Sequence, residues 1–272
     1  MPELPEVETT LRGIAPHLLG RRFEDILVRE RRLRQPVPAD LDPLCGTPVT
    51  SLTRRAKYLI LGFGNGEHLL VHLGMTGSLR ICNADFELRK HDHVVFLLDD
   101  GRQVRFHDPR RFGIVLPIGN ADPSGHPLLR GLGPEPLGPG FAADHLYDAC
   151  RSRKAAIKLV IMDGKVVVGV GNIYASEALF RAGIRPGTAA RRVSRPRLAR
   201  LVEGIRAVLA ESIEQGGTTL RDFVNSSGEP GYFRQRLFVY ERGGKPCRVC
   251  GTAIRQAIMG QRSTYWCSVC QK

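Results

Sequence analysis

The chain has 272 residues and carries 40 Lys and Arg against 27 Asp and Glu, a net charge of +13. Hydrophobic residues make up 42% of it, enough for a buried core, which excludes a disordered tail. No apolar run reaches the roughly 18 residues that a membrane span requires. The first ten residues, MPELPEVETT, lack the charged and then apolar pattern of a secretion signal. A cytoplasmic protein without a membrane partner is therefore expected.

The first half of the chain predicts one helix followed by short strands. Apolar residues recur at three- and four-residue steps over residues 3–19, which predicts a helix. Pro2 and Pro5 fall near its start, where a missing N–H does little harm. Strand-like stretches follow, with Asp99-Asp100-Gly101 as a hairpin signal between two of them, at 23–33, 49–63, 68–74, 77–82, 93–98, 103–107 and 112–118. Short strands with turns between them predict an antiparallel sandwich or barrel.

The second half of the chain has a Gly/Pro-rich stretch followed by helical patterns. Residues 117–140 contain twelve Gly or Pro in twenty-four positions and are predicted as a linker. Helical patterns follow at 142–151, 154–162, 172–183 and 195–215. The expected fold class is α+β with two domains. The predicted boundaries are 1–116 for a β-sandwich domain, 117–140 for the linker, 141–236 for a helical domain and 237–272 for a C-terminal module that contains four cysteines.

The net positive charge of the chain comes entirely from its second half. Residues 1–149 hold 18 basic and 19 acidic side chains, whereas residues 150–272 hold 22 and 8. A basic module joined to a neutral one is typical of a protein that grips a polyanion. A merely basic protein without such a partner is the alternative.

Four of the seven cysteines stand in two CxxC pairs near the end of the chain. Sixteen residues separate Cys247-x2-Cys250 from Cys267-x2-Cys270, which is the spacing of a four-thiolate zinc site with a hairpin between its halves. Because protein ligands fill all four positions, such a site is closed and structural. Two disulfides are the alternative, which an odd cysteine count does not favour.

The first six residues, MPELPE, are candidates for covalent chemistry. Removal of Met1 would leave the secondary amine of Pro2 at the chain start, and an α-amine titrates near 8, well below a lysine. Its neutral fraction can attack the anomeric carbon of a sugar and form an iminium, with a neighbouring carboxylate as general acid or base. Proline and the acids Glu3 and Glu6 also make a good helix start, so both interpretations stay open on these residues alone.

Five blocks occur in order along the chain: MPELPEVET, HLGMTG (72–77), DPRRFG (108–113), VVGVGNIYASEALF (167–180) and the zinc pattern. Together they resemble the formamidopyrimidine-DNA glycosylases, and the resemblance runs from Pro2 to Lys272. It implies a bifunctional base-excision repair enzyme that removes oxidised purines, 8-oxoguanine and formamidopyrimidines, from double-stranded DNA and cleaves the strand. It also implies an N-terminal β-sandwich, a helix–two-turn–helix domain and a zinc-finger hairpin with one structural Zn²⁺. A monomer is expected.

The resemblance assigns catalytic roles residue by residue. Pro2 matches the nucleophile that attacks C1′ and displaces the damaged base. Glu3 matches the acid that protonates the deoxyribose ring oxygen, and Glu6 a carboxylate that orients the amine. Lys57, in RRAKYLIL, matches the lysine assigned to β-elimination, and Arg262, in GQRSTYWC, the arginine linked to δ-elimination. Because a guanidinium is a poor proton donor, phosphate binding is the more credible role for Arg262.

The resemblance also assigns DNA contacts. Met75, Arg110 and Phe112 match residues that fill the void left by the flipped base, and the R-R-F spacing predicts that Arg110 and Phe112 share one face of a strand. Met75 as a core residue and Phe112 as an ordinary strand residue are the alternatives. Five further residues are predicted to contact phosphates: His72, His91, Arg153, Lys158 and Asn172. Asn172 follows Gly169-Val170-Gly171 at a predicted helix start, where it is also a candidate N-cap.

Residues 215–223 resemble the loop that closes over the flipped base. Arg221 stands where the family frequently has Lys, and Thr76 occupies a site that varies in the family, so the lesion preference is open. The rival within the superfamily is an endonuclease VIII-like enzyme for oxidised pyrimidines. Leu4, where that branch usually has Gly, and the intact R-R-F block argue against it. The rival of another class is a non-catalytic zinc protein that binds DNA.

Overall fold

The computed structural model describes residues 2–217 and 237–272, which form two compact units. The first unit contains residues 2–130 with 215–217, and the second contains residues 131–214 with 237–272. The first is rich in strands and the second in helices, which confirms the α+β class with two domains. Among the described residues, no helix has the length and apolar character needed to span a bilayer.

One helix and eight strands build the first unit. They are α1 (Leu4–Leu18), β1 (Phe23–Val28), β2 (Val49–Arg55), β3 (Tyr58–Phe63), β4 (His68–His72), β5 (Ser78–Asn83), β6 (Asp92–Leu98), β7 (Arg102–His107) and β8 (Ile114–Gly119). The strands form two antiparallel sheets of four, with orders β1-β6-β7-β5 and β2-β3-β4-β8. Apolar side chains of α1 and of both sheets share one core, in which the rings of Phe23 and Phe96 lie 4.9 Å apart. The predicted antiparallel sandwich is thereby confirmed.

Several helices and strands have different boundaries from those predicted. The stretch 49–63 is two strands, since Ala56 takes a left-handed conformation (φ 54°) and turns the chain back on itself. The strand predicted over 23–33 ends at Val28, and the strand predicted over 68–74 ends at His72, directly before a tight turn. α1 runs to Leu18 even though Pro16 lies inside it. The hairpin at 99–101 is confirmed, with Gly101 at φ 80°.

The second unit contains four helices and one hairpin in its described part. They are α2 (Ala143–Cys150), α3 (Ile157–Ile161), α4 (Asn172–Arg181), α5 (Arg195–Glu214), β9 (Arg255–Met259) and β10 (Arg262–Trp266). α3 begins later than predicted because Ala156 is extended and pairs with Ala189, where the N–H of Ala190 donates to the carbonyl of Ala155 at 2.9 Å. β9 and β10 form the hairpin expected between the two CxxC pairs.

A buried carboxylate on α4 holds the chain that leads into the zinc hairpin. Glu177 is 1% exposed, and its oxygens accept the backbone N–H groups of Phe238, Val239 and Tyr240 at 2.8–2.9 Å. Burial raises the pKa of Glu177. The residues after position 236 are therefore tied to the same helix whose first turn contains Asn172.

Candidate active site and nucleic-acid interface

The start of α1 gathers the three N-terminal residues predicted to be catalytic. Glu3 is the N-cap, and Pro5 follows in the first turn, where its missing N–H has no helical partner to lose. Glu3 and Glu6 are 2% and 0% exposed. The backbone N–H of Glu3 donates to Oε2 of Glu6 at 2.8 Å, one half of a capping box. Glu6 thus fixes the peptide group that directly follows Pro2.

Lys57 lies in the turn between β2 and β3, directly after the left-handed Ala56. Arg54 braces this turn: its Nη1 donates to the carbonyl of Ala56 at 3.0 Å, and its Nε donates to Glu8 at 2.8 Å. Burial raises the pKa of Glu8, but hydrogen bonds from Arg54 and Arg12 leave it below its usual value. Because Glu8 belongs to α1, the pair connects the helix that follows Pro2 to the turn that contains Lys57. The sequence reading missed this pair, since nothing in the spacing of residues 8 and 54 indicates a contact.

His72 ends β4 as a neutral side chain. Burial lowers the pKa of His72 to about 4, and the nearby charges of Lys57 and Arg34 act in the same direction. Its Nδ1 accepts the backbone N–H of Gly74 at 2.9 Å, so the ring proton is on Nε2. The predicted phosphate contact of His72 is therefore one that a neutral N–H group makes, not an ion pair.

Met75, Arg110 and Phe112 lie on two neighbouring loops of the first unit. Met75 belongs to the tight turn of residues 73–77 and is partly buried, whereas Phe112 is 43% exposed. The prediction that Arg110 and Phe112 share a face of a strand is wrong: both lie between β7 and β8, and Arg111 between them has a left-handed φ of 57°. The guanidinium of Arg110 instead covers the Phe112 ring, 4.9 Å from its centroid.

His91 belongs to a cluster of three histidines. Its ring centroid lies 5.9 Å from those of His93 and His107. The residue lines a polar cavity of about 370 Å³, whose other lining residues include Arg29, Lys90 and Arg111. The lining also contains the carboxylates Glu30 and Asp92, and Glu30 accepts from Nη1 of Arg111 at 3.4 Å. The phosphate contact of His91 therefore stays a prediction.

Lys158 and Asn172 form a buried network in the second unit. Lys158 is 0% exposed, and its Nζ donates to Oδ1 of Asn172 at 2.6 Å, to Oγ1 of Thr264 at 2.7 Å and to the carbonyl of Ser263 at 3.3 Å. The predicted direct phosphate contact of Lys158 is therefore not supported, because its ammonium group is inside the protein. Its hydrogen bonds position β10 against α4.

Asn172 is the first helical residue of α4, and Gly171 is the N-cap, so the N-cap interpretation of Asn172 is wrong. Its side chain makes a longer-range contact instead: Nδ2 donates to the carbonyl of Ser263 at 3.0 Å. Asn172 thereby holds the start of β10 at the N-terminal end of α4. The backbone N–H groups at that helix end favour an anion.

Arg153 and Arg262 are accessible cations of the second unit. Arg153 donates to Asp163 at 3.0 Å, and its side chain is 40% exposed. Exposed pairs are weak, so a phosphate can replace Asp163 as its partner. Arg262 is exposed at the first position of β10, next to the hairpin tip, where Gly260 and Gln261 have positive φ values.

The four cysteines of the two CxxC pairs converge at one point. Their sulfurs all lie within 4.8 Å of one another, with 3.9 Å between Cys247 and Cys270 and 3.4 Å between Cys250 and Cys267. Four thiolates at Zn–S distances near 2.3 Å place neighbouring sulfurs about 3.8 Å apart. Backbone N–H groups also donate to two of these sulfurs, at 3.5 Å. The residues fit one structural zinc ion, and the disulfide alternative is not what the structure contains, since these cysteines are free.

The predicted lid extends beyond the described part of the chain. Residues 218–223, including Arg221, lie outside the described residues. Asp108 is a residue that the sequence reading quoted within a motif but gave no role. It is completely buried and contacts both loops that carry the predicted void-filling side chains.

Comparison with known proteins gives matches along the whole chain. Three family profiles match in order: the formamidopyrimidine-DNA glycosylase N-terminal domain over residues 1–115, the formamidopyrimidine-DNA glycosylase H2TH domain over 132–224, and a zinc finger found in FPG and IleRS over 244–272. A formamidopyrimidine-DNA glycosylase of Methylococcus capsulatus is 58% identical over 273 residues, covering 100% of both chains.

Two solved structures extend the comparison to the fold. The MutM (Fpg) protein of Thermus thermophilus superposes with a TM-score of 0.89 at 37% identity, covering 99% of this chain and 98% of that one. The wild-type Lactococcus lactis Fpg, in complex with DNA containing N7-benzyl-Fapy-dG, gives a TM-score of 0.91 at 30% identity, with both chains covered completely.

Proposed function

Because the chain belongs to the formamidopyrimidine-DNA glycosylase family, we propose that it is a base-excision repair glycosylase for oxidised purines in double-stranded DNA. Its substrates are 8-oxoguanine and formamidopyrimidines, and it then cleaves the strand as an abasic-site lyase. The observation that carries the proposal is the buried acid pair at the start of α1, where Glu6 fixes the peptide that follows Pro2.

In the first step, the nitrogen of Pro2 attacks C1′ of the damaged nucleoside after removal of Met1. The N–C1′ bond forms as the bond to the base breaks, and the base leaves with the electron pair and a proton. Glu3 protonates the ring oxygen, so that the sugar opens and an iminium remains. The hydrogen bond from the Glu3 N–H to Glu6 supports this geometry, because it restricts the rotation of the group next to the nucleophile.

Two eliminations then cut the strand. The iminium acidifies the 2′ protons, so that the 3′ phosphate leaves by β-elimination and the 5′ phosphate by δ-elimination. The bond from Arg54 to the turn that contains Lys57 supports a role for Lys57 in the first elimination, and the proposed role of Arg262 is to hold a phosphate in the second. Arg153, Asn172, His72 and His91 contribute further phosphate contacts, which position the duplex without reading its sequence.

Eversion of the damaged base costs a few kcal/mol of stacking and pairing. Met75 and Phe112 replace part of the lost stacking, and Arg110 faces the orphaned base. The exposure of Phe112 supports this role, since an exposed ring is accessible to the bases of a duplex, and the contact of Arg110 with that ring keeps the two side chains together.

Borohydride trapping on a duplex that contains 8-oxoguanine tests the nucleophile. Wild-type protein is expected to form a covalent adduct, and Pro2→Gly to lose most of it. Pro5→Ala is the matched control, because it changes the same helix start without touching the amine, and it should keep the adduct. Protein that retains Met1 should not be trapped, since an amide nitrogen has no lone pair to give.

The other outcomes identify the rivals. Complete absence of an adduct with wild-type protein would indicate a non-catalytic DNA-binding protein. Undiminished trapping by Pro2→Gly would assign the nucleophile to another amine, such as Lys57. Excision of 8-oxoguanine opposite cytosine should be faster than excision of thymine glycol, and the reverse order would favour an enzyme for oxidised pyrimidines.

A further inference from the structure

The proposed void-filling side chains come from two separate loops of the first unit. Residues 73–77 carry Met75, and residues 108–113 carry Arg110 and Phe112. To replace one stacked base, side chains of both loops must enter the duplex together. Their relative position therefore matters as much as their identity.

The two loops touch through their backbones. Gly74 has a φ of 66°, and a Cβ on it would lie 2.5 Å from the nitrogen of Gly113 and 2.5 Å from the carbonyl carbon of Phe112. A Cβ on Gly113 would lie 2.8 Å from the carbonyl oxygen of His72. Only glycine permits such an approach, so both loops are built for contact.

A buried carboxylate lies at this contact. Asp108 is 0% exposed; its Oδ1 accepts the hydroxyl of Thr76 at 3.0 Å, and its Oδ2 accepts the N–H of Gly113 at 2.8 Å. Thr76 directly follows Met75, and Gly113 directly follows Phe112. Each carboxylate oxygen therefore holds the residue after one void-filling side chain.

The backbone of Asp108 adds a third connection. Its carbonyl accepts Nε2 of His93 at 2.9 Å, and its N–H donates to the carbonyl of His91 at 3.0 Å. Asp108 is thus fixed to the start of β6 as well as to both loops. Hydrogen bonds to a charged acceptor are stronger than neutral ones, and a buried carboxylate that loses a donor is costly.

We propose that Asp108 is a positioning residue that holds the Met75 loop and the Phe112 loop together as one rigid wedge, the unit that enters the duplex. The Thr76 hydroxyl is the contact of Asp108 that a substitution can remove. The inference rests on the proposed function, because it assigns a mechanical role within base eversion. Thr76 and Asp108 act through Met75 and Phe112 and contact no substrate atom. Their contribution is needed only in a duplex, where eversion of the damaged base leaves a void opposite the other strand.

The test compares Thr76→Val with Thr76→Ser. Valine has the shape of threonine without the hydroxyl, whereas serine keeps the donor. The readout is the rate of borohydride trapping on an abasic site in a duplex, relative to the same site in a single-stranded oligonucleotide. Thr76→Val should lower the rate on the duplex about tenfold or more and leave the single-strand rate unchanged. Thr76→Ser should restore the ratio.

A double-mutant cycle shows whether the effect passes through the wedge. In a Phe112→Ala background, Thr76→Val should cost much less on the duplex than it does in wild type, because coupled residues are non-additive. Additive losses would overturn the proposal. So would a Thr76→Val protein with the wild-type ratio, or one with equal losses on both substrates, which indicates a general folding role.

Two controls separate the possible failures. If Thr76→Val does not fold, as judged by its thermal transition, Thr76→Ala is measured in the same way and decides the matter by the same ratio. If wild-type protein forms no adduct on either substrate, the proposed function fails. Wild-type trapping together with an unaffected Thr76 variant contradicts only the role of Asp108.

Discussion

His72 should make the stability of the first unit sensitive to mild acid. In the folded protein its pKa is lowered to about 4, by burial first and then by the charges of Lys57 and Arg34. Its Nδ1 also accepts the N–H of Gly74, so protonation would set two N–H groups against each other. In the unfolded chain, a histidine titrates near 6.5.

The sign and size follow from proton linkage. Between pH 6.5 and pH 4 the unfolded chain binds a proton at this position and the folded protein does not, so stability falls as the pH falls through this range. At pH 5 the unfolded histidine is almost fully protonated, and the linkage amounts to about 2 kcal/mol relative to pH 7.

The variant His72→Asn isolates this effect. An asparagine Oδ1 has nearly the position of Nδ1, so it can accept the N–H of Gly74, but it cannot titrate. Unfolding by urea at pH 7 and pH 5 should show a loss that is smaller by about 2 kcal/mol in His72→Asn than in wild type. Histidine-selective NMR, assigned with the same variant, should show a ring that titrates near pH 4. Equal acid sensitivity of both proteins would refute the reasoning.

Three further outcomes are expected. Glu8→Gln should lower the free energy of unfolding at pH 7 by less than about 1 kcal/mol. Because the pKa of Glu8 is held below its usual value, wild type should lose this advantage as the pH falls below about 4. A difference in thermal unfolding that persists at pH 3 would contradict the pairing with Arg54. Lys158→Met should destabilise the second unit by about 1–3 kcal/mol and reduce hydrogen-exchange protection in β10, whereas the exposed Lys154→Met should change neither. Cys247→Ser should reduce bound zinc, measured by elemental analysis, while the thermal transition of the first unit is retained; full zinc content would argue against the four-thiolate site.

The features of this protein that depend on local spacing are predictable from its amino-acid sequence. Apolar periodicity placed α1 and α5, and the signal at Asp99–Gly101 placed a hairpin, because these patterns reflect short-range geometry. The CxxC spacing identified the zinc site for the same reason: two knuckles joined by a hairpin bring four sulfurs together wherever they occur. The charge asymmetry indicated a polyanion partner without any knowledge of the fold.

Which side chains are buried together becomes known from the packing of the folded chain. Lys158 reads as a surface cation, yet α4 and β10 enclose it, and its ammonium group becomes a structural donor. Arg110 and Phe112 read as neighbours on a strand, yet a left-handed Arg111 places them on a loop. The neutrality of His72 and the contacts of Asp108 depend on residues far apart in the chain. Burial and long-range hydrogen bonding are set by packing, which local spacing does not encode.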